Sequence, residues 1–304
     1  MTHHISDINS VCTYCGTGCD ITAQVEDNKI LKIYAQNDGY VSQGKLCIKG
    51  AQGYGFLEAP DRIRNARVKK SFIQNNLDSL PRELKSRIKT LKEFDESYLE
   101  VPYEFATSIA AWKLIDIKQK YGRHAFCGMG GARTSCESSY MFQKFVREAM
   151  DSPHVDNCAR VCHSPSLKGM RTTIGEGAAT NPFDDIFKTE NIIVMGSNTT
   201  EAHPIVSNRM IKAVRDKIAT LTVIDVRQIQ LSKFGEQLII PYEANLLVLN
   251  MMAYVILSEK LYNKEFIDSR CTGFEEYKDL ILNDPYANPE YMKNVSGYEY
   301  LTEQ

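Results

Sequence analysis

The sequence lacks an apolar stretch long enough to span a membrane. Its longest apolar run is LLVLNMMAYVIL at 246–257, which has 12 residues and is interrupted by Asn250. A membrane-spanning helix needs about 20 apolar residues, so we predict a buried helix at this position instead. The sequence also has no internal repeat and no low-complexity tract, and it therefore gives no sign of a repeat protein.

The sequence has no strong excess of charge of either sign. Its 304 residues carry a formal net charge of −2 and a pI near 6.3. Phosphate backbones and anionic lipids would not be attracted in general, and we expect no nucleic-acid partner. The start, MTHHISDINS, has neither the basic and apolar regions of a secretion signal nor a twin-arginine leader. As written, the chain is predicted to be cytoplasmic, and it would be periplasmic if an export leader has been removed.

Nine cysteines are spread unevenly along the chain. This number and spacing do not resemble a disulfide framework, so metal ligation is the better interpretation. Four of them form a C-x2-C-x3-C group with one remote thiol, namely Cys12, Cys15, Cys19 and Cys47. Three close thiols and a distant fourth are typical of a [4Fe-4S] cluster, whereas zinc ribbons usually present two C-x2-C pairs. Structural zinc is the alternative.

A second group of interest is Cys162 with His163, in NCARVCHSP at 157–165. Ser164 and Pro165 suit the N-cap and first turn of a helix, which predicts that Cys162 and His163 lie in the loop before it. Two alternatives stay open: Cys158 and Cys162, four residues apart, are two buried core thiols, or Cys162 forms a nucleophile-base pair with His163 in a thiol hydrolase. The other cysteines are assigned to packing: Cys127, Cys136, Cys158 and Cys271.

Three sets of motifs together carry a resemblance to a known family. They are CTYCGTGCD with GKLCIKG, QKFVREAM with DNCARVCHSPSLKGM, and GSNTTEAHPIV. The sequence resembles the catalytic subunit of molybdenum- or tungsten-dependent formate dehydrogenases, within the molybdopterin oxidoreductase family. The likeness extends from about residue 11 to about residue 280. The basic segment at 62–100 departs from the family pattern, because it is longer and lacks the usual Thr-Pro-Leu.

The resemblance implies two redox centres. The four cysteines would hold a [4Fe-4S] cluster, and a bis-molybdopterin guanine dinucleotide would carry molybdenum or tungsten with Cys162 as a ligand. His163 would handle protons, and Lys49 would bridge the cluster and the pterin. Small residues with free N–H groups at the end of a parallel strand suit a pyrophosphate. The candidate dinucleotide contacts are Gly196, Ser197, Asn198, Glu201, His203, Asp225 and Arg227.

The pattern of elements predicts an α/β fold. Apolar and polar residues alternate at 21–36 around Asp27-Asn28, which indicates a β-hairpin in a small N-terminal iron-sulfur domain. Strands at 191–198 and 220–227 flank a helix at 204–217, which indicates a parallel sheet covered by helices. The predicted domains are 1–62 for the [4Fe-4S] cluster, 63–157 for the first part of an α/β domain with a basic helical insertion, and 158–304 for the α/β molybdopterin guanine dinucleotide-binding domain.

The resemblance also implies the reaction and its partners. Formate would be oxidised to carbon dioxide, and electrons would pass through the cluster to an iron-sulfur electron-transfer subunit, with or without a membrane cytochrome subunit. The chain would be the amino-terminal portion of a longer polypeptide, so residues 1–304 alone are expected to be inactive. The alternatives are another molybdopterin oxidoreductase and a non-catalytic iron-sulfur electron-transfer protein.

Overall fold

The structure is a computed structural model that describes residues 5–295 and 297–298. The chain divides into two compact units, one formed by Met1–Gln52 with Asn181–Gln304 and the other by Gly53–Thr180. The predicted domain boundaries after residues 62 and 157 stay predictions. The extreme ends of the predicted first and third domains lie outside the described residues.

Strands and helices alternate along most of the chain. The strands are β1 (Ile5–Val11), β2 (Asp20–Glu26), β3 (Lys29–Ala35), β4 (Ala66–Lys69), β5 (Lys92–Glu93), β6 (Tyr98–Val101), β7 (Gly128–Gly130), β8 (Val155–Asn157), β9 (Asn191–Met195), β10 (Thr220–Asp225) and β11 (Glu236–Ile239). The α-helices are α1 (Ile48–Gln52), α2 (Lys70–Asn76), α3 (Arg82–Ile88), α4 (Tyr103–Tyr121), α5 (Cys136–Lys144), α6 (Ala159–Cys162), α7 (Ser164–Thr173), α8 (Thr199–Ala202), α9 (Pro204–Arg215), α10 (Asn245–Ser258), α11 (Lys264–Arg270), α12 (Phe274–Asn283) and α13 (Pro289–Met292). Among these described helices, none is both long and apolar enough to cross a membrane.

The first unit begins with a three-stranded antiparallel sheet in the order β1-β2-β3. The predicted hairpin is confirmed: β2 and β3 pair around Asp27 and Asn28, which have φ values of 48° and 62°. Two positive φ values in succession are typical of the tight turn that matches the twist of paired strands. The strand β1 was not predicted, because its mostly exposed residues show little alternation.

The second part of the same unit is a parallel sheet in the order β11-β10-β9. One face packs against α9 through a core that includes Val223, Ala213 and Leu231, and the other packs against α10 through Ile224, Val248 and Met251. Helices therefore cover both faces, as the alternation of elements predicted. The carboxyl ends of β9 and β10 lie side by side in this sheet.

The second unit contains the basic segment that was predicted as a helical insertion. The helices α2 and α3 are present, but they lie between β4 and β6, which pair as antiparallel strands. Leu80 and Leu84 are buried together with Phe105 and Ile109 of α4. The segment is therefore a small folded element whose apolar positions pack against α4.

Candidate functional site

Three of the four predicted cluster cysteines lie on one closed loop. Residues 12–19 connect β1 to β2, whose register pairs Val11 with Asp20. The amide of Cys12 donates to the carbonyl of Cys19 at 2.9 Å and closes the loop at its base. Gly18 has φ of 76°, in the left-handed region that favours glycine. The loop thus presents Cys12, Cys15 and Cys19 from one short stretch of backbone.

The fourth cysteine is brought to the same region by α1. Cys47 directly precedes this helix, and a Cβ placed on Gly50 would lie 3.4 Å from Cys12 Sγ. Burial first, and then the nearby thiols of Cys12, Cys15 and Cys47, together raise the pKa of the Cys19 thiol to about 11. All four thiols therefore lie close enough to interact electrostatically.

The arrangement of the thiols fits a polynuclear centre. Over residues 5–295 and 297–298, no three histidine, cysteine, aspartate or glutamate side chains converge as a single metal ion would require. Cys19 interacts with the thiols of Cys12, Cys15 and Cys47, and four sulfur donors near one another suit a [4Fe-4S] cube, which is larger than a single ion. The thiol of Cys15 lies 3.3 Å from Thr17 Oγ1, to which it donates. In a ligated thiolate, which has no proton, the Thr17 hydroxyl would donate instead.

A loop at residues 36–44, which leads towards Cys47, is fixed by a residue that the sequence interpretation missed. The Asp20 carboxylate accepts from the amide of Val41 at 3.0 Å and from that of Ser42 at 3.5 Å. A Cβ on Gly39 would lie 2.7 Å from Asp20 Oδ2, so this position has no room for a side chain. Since Asp20 follows Cys19 in the sequence, one residue links the two cysteine-bearing segments.

Lys49 connects the cluster loops to the predicted dinucleotide loop. Its Nζ donates to the carbonyl oxygen of Glu201, in α8, at 2.5 Å. Glu201 belongs to the segment from Gly196 to His203 that follows β9. The bridging role of Lys49 remains a prediction, but the structure brings the lysine two residues after Cys47 into contact with that segment.

The predicted dinucleotide residues lie at the carboxyl edge of the parallel sheet. Gly196 has φ of 61°, and its amide donates to the carbonyl of Ile224 in β10 at 2.9 Å. In the next turn, Thr200 Oγ1 donates to the Asn198 side-chain oxygen at 3.0 Å. The edge of a parallel sheet with small residues and helix N-termini is where such folds bind dinucleotides.

The second half of this edge is formed by the end of β10. Asp225 is buried, and its Oδ1 accepts from the backbone amide of Arg227 at 3.3 Å. The carbonyl of Arg227 accepts from Gln237 Nε2 at 2.7 Å. The Arg227 side chain is exposed. The structure therefore brings Gly196, Ser197, Asn198, Asp225 and Arg227 to two adjacent strand ends.

Cys162 and His163 belong to the second unit. The helix α6 ends at Cys162, and α7 begins at Ser164 with His163 as its N-cap. The predicted N-cap role of Ser164 is wrong, because the helix starts one residue earlier and Pro165 occupies its second position. Proline is tolerated there because amides in the first turn have no intrahelical partner.

The interpretation of several cysteines as core residues is also wrong. Cys162 is exposed, and so are the four that were assigned to packing: Cys127, Cys136, Cys158 and Cys271. Each of these four stands immediately beside or at the end of a helix or strand. Such element ends lie at the surface, so an apolar side chain there finds no second layer to cover it.

The second unit also contains a cavity of about 670 Å³ at the carboxyl ends of its parallel strands β7 and β8. Its lining includes Gly130, Gly131, Thr134, Ser138, Asp156 and Asn157. The sequence interpretation assigned no site to these residues. Glycines and hydroxyl groups beside the start of α5 give the cavity the same chemistry as the edge of the other parallel sheet.

Comparison with protein families gives two matches. Residues 6–59 match the molybdopterin oxidoreductase Fe4S4 domain, and residues 90–287 match molybdopterin oxidoreductase. The chain belongs to the molybdopterin oxidoreductase family. The first match contains all four predicted cluster cysteines. At the level of these two domains, the predicted [4Fe-4S] cluster and molybdopterin cofactor are confirmed.

Individual relatives support the predicted resemblance to formate dehydrogenase catalytic subunits. Formate dehydrogenase H of Escherichia coli (strain K12) is 34% identical over 290 residues, which cover 95% of this chain and 37% of that protein. The F420-dependent formate dehydrogenase subunit alpha of Methanocaldococcus jannaschii is 32% identical over 294 residues, which cover 96% of this chain and 39% of that protein. The chain thus spans less than two fifths of the length of these relatives.

A solved structure confirms the fold class. Acetylene hydratase from Pelobacter acetylenicus superimposes with a TM-score of 0.67 at 19% identity, over 97% of this chain and 38% of that chain. At this identity the similarity concerns the fold alone. This chain therefore has a small N-terminal sheet followed by parallel α/β sheets, as predicted.

Arg209 is a second residue that the sequence interpretation missed. It is only 6% exposed and lies on the buried face of α9 with Ile205 and Ala213. These positions are spaced by four residues, which is the period of a helix face. An arginine on the apolar face of an amphipathic helix is the signal that could have identified it.

Proposed function

We propose that this chain is part of an enzyme that oxidises formate to carbon dioxide, with the loss of one proton and two electrons. The observation that carries the proposal is the contact between Lys49, two residues after a cluster cysteine, and Glu201 in the predicted dinucleotide loop. This contact suits a protein that passes electrons between a pterin and a cluster. The names of the relatives, formate dehydrogenases in both cases, point to formate as the substrate.

The cofactor is proposed to be a bis-molybdopterin guanine dinucleotide with molybdenum or tungsten. When bound, the metal would supply an acceptor for the two electrons of formate, and the [4Fe-4S] cluster would supply the next electron carrier. The carboxyl edge of the parallel sheet in the first unit, at Gly196 to Asn198, has chemistry that suits a dinucleotide.

The protein's own residues are proposed to have distinct roles. Cys12, Cys15, Cys19 and Cys47 hold the cluster. Cys162 provides a soft sulfur ligand of the kind that molybdenum and tungsten accept. His163, the next residue in the chain, accepts the proton, since a neutral imidazole has one ring nitrogen that can accept. Lys49 orients the dinucleotide loop and places a positive charge near the reduced cluster.

The remaining dinucleotide contacts follow the loop geometry. Gly196, whose positive φ turns the chain at the strand end, is proposed to let the pyrophosphate approach the side chains of Ser197 and Asn198, with Glu201 and His203 in the same loop. Asp225 and Arg227 are proposed to meet the guanosine end, since a carboxylate in this position can bond ribose hydroxyls. The family usually has Asp-Pro-Arg there, and Val226 replaces the proline. Residues 1–62 are proposed to form the cluster domain and residues 63–157 the first part of an α/β domain. Residues 158–304 are proposed to form the domain that binds the guanine dinucleotide.

The electron acceptor is proposed to be an iron-sulfur subunit, because one cluster in this chain cannot by itself deliver electrons to a distant acceptor. Formate-dependent reduction of an artificial dye by the protein at its natural length tests the reaction without that partner. Nitrate and sulfur oxyanions serve as competing substrates in the same assay. Turnover of these compounds without formate oxidation would replace the proposal by another member of the family.

The ligand role of Cys162 is tested separately by Cys162→Ser and the matched control Cys136→Ser. Both cysteines are exposed in the second unit, but only Cys162 is proposed to ligate the metal. We expect Cys162→Ser to lose formate oxidation and to retain its iron, while Cys136→Ser keeps both. Formate oxidation that survives in Cys162→Ser would exclude this cysteine as the metal ligand.

A further inference from the structure

Arg209 is a buried cation to which the proposed reaction gives no role. Its side chain is 7% exposed, and Nη2 donates to the carbonyl oxygen of Val41 at 2.9 Å. Its Nε lies 3.5 Å from Asp184 Oδ1, and its guanidinium carbon lies 5.4 Å from the centre of the Phe183 ring. A buried charge is costly unless it is paired and hydrogen-bonded, so these contacts decide whether the position tolerates an arginine.

The contact with Val41 holds the loop that leads to the fourth cluster cysteine. The amide of Val41 is bound by the Asp20 carboxylate, and its carbonyl is bound by Arg209. The side chain of Gln43, two residues later, donates to the same Asp184 oxygen at 3.4 Å. The stretch from Val41 to Gln43 is thereby held by Asp20 of β2 on one side and by Arg209 of α9 and Asp184 on the other.

The helix that carries Arg209 begins directly after the predicted dinucleotide loop. His203 is its N-cap, and the amide of Ser207 donates to the His203 carbonyl at 3.1 Å. Lys49 reaches the carbonyl of Glu201 in the same loop. The cluster segments and the dinucleotide loop are therefore joined twice, once through Lys49 and once through Arg209 and α9.

We propose that Arg209 is a positioning residue for electron transfer, which holds the 41–43 stretch against α9 and so keeps Lys49 in contact with the dinucleotide loop. The contacts through Lys49 and through Arg209 together fix the orientation of the dinucleotide loop relative to the cluster segments, whereas one contact alone would allow rotation. The mechanical part of this proposal depends only on the contacts above, whereas its consequence for electron transfer rests on the proposed function.

The test compares Arg209→Met and Arg209→Lys with the control Arg215→Met. Each variant is made in the protein at its natural length, with the cluster and the pterin cofactor bound. Arg215 lies on the same helix, is exposed, and contacts the Phe234 ring. The readouts are iron content, hydrogen exchange of residues 39–44 and 196–203, and the rate of cluster reduction after addition of either formate or dithionite. Formate delivers electrons through the pterin, whereas dithionite reaches the cluster directly.

For Arg209→Met we expect unchanged iron content and about tenfold faster exchange in both segments. This factor corresponds to the loss of one hydrogen bond to a charged group, about 1.4 kcal/mol. Reduction by formate is expected to slow severalfold, while reduction by dithionite stays the same. Arg209→Lys keeps the charge and a hydrogen-bond donor group but loses the planar guanidinium, so it is expected to recover part of both effects. Arg215→Met is expected to change neither.

Faster exchange in 39–44 alone, with normal reduction by formate, would reduce Arg209 to a structural residue and overturn the proposal. If Arg209→Met loses its iron, the comparison between Arg209→Lys and Arg215→Met decides in the same way. If the unmodified protein is not reduced by formate, the proposed function fails. The positioning role is then judged by whether exchange in 196–203 rises together with exchange in 39–44.

Discussion

Substitution of Gly39 by alanine is expected to lower the stability of the cluster region, because the added Cβ would clash with neighbouring atoms. A Cβ at this position would lie 2.6 Å from Ser42 Oγ, 2.7 Å from Asp20 Oδ2 and 2.8 Å from Asp20 Cβ. Gly39 is not among the residues with positive φ, so backbone strain does not contribute. The Asp20 carboxylate cannot simply move away, because it accepts from the amides of Val41 and Ser42.

The cost is that of inserting one methyl group into a filled space, about 1–3 kcal/mol. With a denaturant slope of 1–3 kcal/mol per molar urea, the midpoint is expected to fall by about 1 M. The visible absorption of the bound cluster, followed during urea titration without oxygen, reports on this region directly. Gly55→Ala is the control, because no atom lies within 4 Å of the added Cβ, and a change within about 0.5 kcal/mol is expected.

A double substitution identifies the clash as the cause. Ser42→Ala removes the nearest obstructing atom and also a hydrogen bond of 3.3 Å from Ser42 Oγ to the Gln36 carbonyl. In the background of Ser42→Ala, Gly39→Ala is therefore expected to cost about 1 kcal/mol less than in the unmodified protein. The contacts with Asp20 remain, so recovery is partial. A Gly39→Ala protein as stable as Gly55→Ala would refute the packing described for this loop.

Three further predictions concern single side chains. Lys49→Met is expected to lower the midpoint potential of the cluster in a redox titration, because a positive charge no longer favours the reduced state; an unchanged potential would contradict the bridging role. Substitution of Cys19 by serine is expected to lower the iron content more than substitution of the exposed Cys271, measured by metal analysis, since only Cys19 lies among the other three thiols. A hydrogen bond to Asp7 raises the pKa of Tyr34, so its stabilising effect is present below the ordinary tyrosine pKa and is lost as pH rises through the raised value. Asp7→Asn is expected to lower that pKa in an ultraviolet titration, and an identical curve would exclude the interaction.

Local sequence signals predicted much of the fold. The hairpin at Asp27-Asn28 was predictable because two residues that tolerate positive φ separated alternating strands. The parallel sheet was predictable because apolar strands alternated with helices over 191–258. The helix at 246–257 is present, but the prediction that it is buried is wrong in part, because Leu246 and Leu249 are exposed. The strand β1 escaped prediction because its residues are almost all exposed, and pairing with β2 rather than its own pattern determines its structure.

The site was predictable where chemistry depends on spacing along the chain. The four cluster cysteines and Lys49 follow from a local motif, and the structure brings them to one region. Asp20 and Arg209 were not predicted, because their roles come from contacts with the 41–43 stretch, and Arg209 lies 168 positions from Val41. The exposed cysteines were misassigned, since a pattern of residue types does not tell whether a second layer covers an element end.

The most direct test of the two-centre account is metal and pterin analysis of the protein at its natural length, purified without oxygen. We predict about four irons, one molybdenum or tungsten, and a guanine dinucleotide for each polypeptide. Iron without molybdenum, tungsten or pterin would contradict the account and leave an electron-transfer protein. Zinc in place of iron would contradict the assignment of the four cysteines themselves.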